Sequence, residues 1–137
     1  MKFIGLIGRI LFASIFLTSV PGHFAAQAIG YAGAQGVPAP SFLVPLSGII
    51  ELVGALSIIL GYKTKWGAWL IVIFLIPVTF TMHTFWKISD PMQAQMDMVM
   101  FLKNISMTGA ALFFAYMGAG PLSLDARMQK ARQTVPA

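Results

Sequence analysis

"GIIELVGALSIIL", residues 48–60, is an apolar run with one carboxylate, Glu51, near its middle. If this stretch crosses a bilayer, an uncompensated charge at its centre costs about 3 kcal/mol or more. The fold therefore turns on whether the surrounding chain belongs in a membrane, and the chemistry turns on what Glu51 meets there.

Composition answers the first question. The chain has 137 residues, of which 58% are hydrophobic and 9% charged, with a mean hydropathy of +0.81. A soluble domain carries about 25% charged residues to wet its surface. Four apolar segments approach the roughly 20 residues that cross a hydrocarbon core as a helix. They are Phe3 to Val20, Phe42 to Leu60, Trp66 to Met82 and Val99 to Met117. Lipid offers no partner to a free backbone N–H or C=O, so each is expected to be helical. The fold class is an all-α integral membrane four-helix bundle forming one domain, with outer loops at 21–41 and 83–98 and a cytoplasmic tail at 118–137.

Charge orients the bundle. Lys2, Lys63, Lys65, Arg127, Lys130 and Arg132 flank one side, and Lys87 stands alone on the other. The positive-inside rule then places both termini in the cytoplasm. The first span has Lys2 before it and "AQA" at 26–28, as a signal peptide would, but Arg9 splits its apolar stretch. Prolines at 45 and 77 should kink the second and third helices. In the first outer loop a short interfacial helix is expected, ended by Pro38 and Pro40 before Ser41 caps the next span. In the second, Ser89 or Asp90 is placed to cap a helix with Pro91 at its first position, running unbroken to Met117 over about 40 Å. The tail reads as a short helix followed by a frayed end.

These residues resemble the DoxX family of small four-helix prokaryotic membrane proteins. The resemblance rests on "GRILFASIFLTS" (8–19), "GVPAP" (36–40), "IIELVGALSIILGYKTKWGAWLI" (49–71), "HTFW" (83–86), "FLKN" (101–104) and "GPLSLDA" (120–126), in that order. It implies residence in the prokaryotic cytoplasmic (inner) membrane. It also implies an association with oxidoreductases, since some members are subunits of thiosulfate:quinone oxidoreductase and others join redox-defence complexes. Such proteins commonly carry a glycine and then a lysine after the first span; here Val20 and His23 stand at those places. A fixed charge thus becomes an imidazole, which titrates near neutrality.

Within the spans the candidate ligand-binding cluster is Arg9, Glu51, His83, Trp86, Lys103 and Asn104, with His23 and His83 as pH-sensitive groups. Glu51 lies about 13 Å deep, Arg9 about 9 Å from the cytoplasmic side and Lys103 about 6 Å from the outer side. Arg9 is the nearest opposite charge for Glu51, and Lys103 is its rival. Ser47, Glu51 and Gly54 share a helix face, as do Thr79, His83 and Trp86, and Asp97, Asn104 and Thr108 on the fourth helix. Converging, these faces would make a polar pocket open to the outer surface. The plainer readings are a buried Arg9–Glu51 pair that fixes register, a snorkelling Lys103, and His83 and Trp86 as interface anchors. Met92, Met96, Met98 and Met100 are better explained by soft packing than by a metal site, and no metal ligand set is assigned.

The chain has no cysteine, so disulfides and thiolate metal sites are excluded. Its net charge of +5 is spread along the span flanks, which excludes a nucleic-acid patch. With no flavin, haem or cluster motif, the chain carries no cofactor of its own beyond a bound quinone. The leading expectation is a membrane subunit of an oxidoreductase complex that handles a quinone or other small carrier and takes electrons from a soluble or membrane partner subunit. One alternative is a non-catalytic scaffold for soluble redox enzymes. The other is a small-solute transporter, for which four short helices without a repeat would need to form a homo-oligomer.

Overall fold

The computed structural model describes residues 2–133, except for the side chain of Lys2; the frayed end expected after the tail helix lies outside the described residues. Helix α1 (Lys2–Ser19) is followed by a 3-10 turn (Val20–Phe24) and the short α2 (Ala26–Ala34). Then come α3 (Pro40–Leu60), α4 (Thr64–Met82), a second 3-10 turn (Phe85–Lys87), α5 (Pro91–Met117) and α6 (Leu124–Gln133). Among the described residues there is no strand. Four of these segments are long and apolar enough to cross a membrane: Phe3–Phe24, Pro40–Leu60, Thr64–Lys87 and Pro91–Met117.

Local chemistry sets the ends. Pro91 opens α5 and the Asp90 carboxylate accepts the Gln93 amide at 2.7 Å, the cap expected from "SDP". At α3 the expectation needs correcting. Ser41 does not cap; Ala39 turns through φ +43° and Pro40 itself starts the helix. The reason is that proline's missing N–H costs nothing at a first position.

The spans pack as a row, α1 on α3, α3 on α4 and α4 on α5. The Phe12 and Phe114 rings, 5.2 Å apart, bring α1 back to α5. The core is built from small and branched side chains, including Ala13, Ala55, Ile58, Ala68, Ile71 and Ala111. Small residues matter because lipid supplies no hydrophobic drive between helices, leaving close packing to hold them. At the α3–α4 crossing a Cβ on Gly54 would sit 2.9 Å from the Gly67 carbonyl. Outward-facing Phe3, Ile7, Leu11, Trp66, Ile73 and Phe113 are exposed, as expected where the solvent is hydrocarbon. An even number of spans brings the two ends of the chain to one face of the bundle, here the terminal face; α2 and the 83–90 segment lie at the opposite face.

Candidate functional site

A cavity of about 560 Å³ lies between the α2-side halves of α3 and α4. Leu46, Ile50, Phe74, Pro77 and Val78 give it apolar walls, and Tyr31 and Ala32 of α2 cover it. Its polar positions include Ser19, His23 and Ser47. The 3-10 turn supplies the histidine. Pro21 is the second residue after α1, and the turn "VPGHF" folds the imidazole back against α3. Gly48 makes that approach feasible, since a Cβ there would lie 2.6 Å from the His23 Cβ. The ring also packs 5.6 Å from that of Phe74.

Behind this wall lies Glu51, 2% exposed. Its Oε1 is 2.5 Å from the Ser19 hydroxyl, and its Oε2 is 3.0 Å from His23 Nε2. The imidazole is in ion-pair range but out of line for a hydrogen bond, which leaves Oε2 without an aligned donor. On the other side of the ring, Nδ1 lies 2.9 Å from Ser47 Oγ, whose hydroxyl donates to the Val44 carbonyl at 2.7 Å. With Ser47 donating to Val44, Nδ1–H donates to Ser47 and one proton remains for Nε2 and Glu51 to share. A carboxylate facing an imidazolium and an acid facing a neutral imidazole are both neutral overall. That neutrality is how the apolar run tolerates its carboxylate.

Arg9 does not meet Glu51. It precedes Ser19, the α1 residue that does, by about 15 Å of helix axis. The guanidinium, 1% exposed, instead donates to the carbonyls of Ile58 and Leu122. Ile58 sits at the C-terminal end of α3, where the helix dipole favours a cation. Leu122 belongs to the segment leading into α6. Asp125 fixes that segment: its carboxylate accepts the amides of Lys63 at 2.7 Å and Thr64 at 3.1 Å, and its own amide donates to Gly61 O at 2.8 Å. Gly61 turns through φ +66° with Arg9 and Ser123 against it. The buried guanidinium thus anchors the tail to the α3–α4 turn.

The remaining residues singled out in the sequence occupy other surroundings. His83 Nδ1 lies 2.9 Å from Asp97, joining the end of α4 to α5. Trp86, exposed, packs edge-on against Phe85 and Phe101. Lys103 is exposed and donates to Met100 Sδ at 3.4 Å, so it is no partner of Glu51. Asn104 is buried on α5. The structure therefore brings Glu51 together with His23, and places Arg9, His83, Trp86 and Lys103 elsewhere. Ser19 is the site residue that sequence reasoning missed; its signal was its position immediately before "VPGH".

Four apolar helices, a polar network buried inside them and a cavity define an α-helical multi-pass membrane protein. The family profile named DoxX matches residues 4–84, and the chain belongs to the DoxX family. It is 30% identical to the Escherichia coli inner membrane protein YqjF, over 91% of this chain and 92% of that one. It is 29% identical to the E. coli inner membrane protein YphA, over 72% and 70%. No solved structure matches it. With its four apolar helices, the chain is a multi-pass protein of the prokaryotic inner membrane.

Proposed function

We propose that this protein is the membrane subunit of an oxidoreductase complex and holds a quinone-class carrier in the α2-covered cavity, with both termini cytoplasmic. The observation that carries this reading is the cavity: about 560 Å³, apolar along its walls, with hydroxyl and imidazole groups of Ser19, His23 and Ser47 on its lining. That volume is typical of small-molecule sites. An isoprenoid-type tail suits the walls, and a carbonyl or hydroxyl head suits the serines. Electrons come from a partner subunit, because a chain without cysteine has no thiolates to bind an iron–sulfur cluster. For orientation, Lys63, Lys65, Arg127 and Lys130 at the terminal face support a cytoplasmic placement, which puts the cavity in the outer half of the bilayer.

Solvent extraction of protein purified in mild detergent, followed by mass spectrometry, tests the reading. Quinone should accompany the wild type in near-stoichiometric amount and fall away in His23→Leu. Quinone at the level carried by an unrelated membrane protein from the same membranes would overturn it.

A further inference from the structure

We propose that Ser19, Glu51, His23 and Ser47 form a two-ended proton chain that protonates the ligand of the cavity, with the Glu51–His23 pair as its proton store. The inference rests on the carrier-binding reading above and adds a reaction step to it.

Both ring nitrogens of His23 face protein groups, Nε2 toward Glu51 at 3.0 Å and Nδ1 toward Ser47 at 2.9 Å. Glu51 in turn reaches Ser19. The two ends of this run, Ser19 and Ser47, both line the cavity, while the carboxyl group stays behind the wall. Each terminal hydroxyl has a backbone carbonyl to rest on, Phe16 O at 2.8 Å for Ser19 and Val44 O at 2.7 Å for Ser47. Either hydroxyl can rotate from that carbonyl to a ligand oxygen as its replacement proton arrives from behind. A register-fixing ion pair would need neither serine on the cavity lining. Among the described residues, the other ion pair, His83–Asp97, belongs to the α4–α5 junction, so His23 is the one cationic group in ion-pair range of Glu51.

The step balances. Two electrons from the partner oxidoreductase reduce the bound quinone. One quinone oxygen takes the hydroxyl proton of Ser19 or Ser47, and that serine takes the proton of the Glu51–His23 pair. The other oxygen takes a proton from water. The products are the quinol, a Glu51 carboxylate and a neutral His23, so the pair passes from charge 0 to −1 and is reset by one proton from water.

Infrared difference spectroscopy during electrochemical reduction of bound decylubiquinone tests the step. The wild type should lose a carboxylic-acid C=O band or an imidazolium ring band, the first absent in Glu51→Gln and the second in His23→Gln. The double variant Ser19→Ala, Ser47→Ala keeps Glu51 and His23 but loses two polar groups of the site, so decylubiquinone is supplied to saturation, and protonation of the bound, reduced quinone should slow about a hundredfold or more. Ser14→Ala, on the exposed side of α1 with its hydroxyl bonded to Leu11 O, should behave as wild type. Decylubiquinone that binds and is protonated at the wild-type rate in the double variant and in Glu51→Gln overturns the proton chain alone. A wild type that does not bind decylubiquinone overturns the carrier-binding reading and this inference with it.

Discussion

One half of the bundle buries a guanidinium among backbone carbonyls, and the other buries a carboxyl group beside an imidazole. The two solutions differ in what they permit. Arg9 cannot shed its proton, so its charge is fixed and the fold closes tightly around it: carbonyls of Ile58 and Leu122, the turn at Gly61, and Asp125 holding the tail in place. Glu51 and His23 can cancel their charges by moving one proton between them, and a cavity lies alongside. A permanent charge suits an anchor. A titratable pair suits a site where protons change hands.

The contrast can be broken by mutation, and the largest effect should come from Arg9. Arg9→Ala takes the side-chain donor from the Leu122 carbonyl, leaves Ile58 O with the Gly61 amide and opens a cavity inside the bundle, and is expected to destabilise it by about 4 kcal/mol in a denaturant titration. Gly61→Ala should cost about 2 kcal/mol, since alanine resists the positive φ and its methyl meets Arg9 and Ser123. Asp125→Ala removes the acceptor of the Lys63 and Thr64 amides at the start of α4, and should cost about 1 kcal/mol and expose the tail to limited proteolysis. Glu51→Gln should cost the least, about 1 kcal/mol or below, because His23 is left free to stay neutral and no charge is stranded. If Glu51→Gln were as damaging as Arg9→Ala, the proposed difference between the two halves would be wrong.

Helix existence was legible because it depends on local composition. The spans Phe42 to Leu60 and Trp66 to Met82 start within two residues of α3 and α4 and end with them, and "SDP" narrowed the cap of α5 to Ser89 or Asp90, of which Asp90 is the one used. The pairing of the buried charges was not legible. Counting depth along each helix puts Glu51 near the midplane and Arg9 on its cytoplasmic side, and suggests that they lean together. Nothing in that count shows that a 3-10 turn at Val20–Phe24 brings His23 back into the bundle, or that "GPLSLDA" returns to claim Arg9. Both events are tertiary, and each depends on a glycine, at 48 and at 61, whose packing role appears only when its neighbour is in place.

The central claim is that the α2-covered cavity is a binding site for an amphipathic carrier, and equilibrium binding of decylubiquinone tests it most directly. Val37 and Val78 line the cavity from the loop before α3 and from α4, outside the hydrogen-bond set of Glu51 and His23, so Val37→Phe with Val78→Phe fills the space and leaves Glu51 and His23 in place. Wild-type protein should bind saturably, and the filled variant, folded to the same extent, should bind at least about tenfold more weakly, as expected when a preformed apolar site is occupied. Equal affinity in the two proteins would contradict the account.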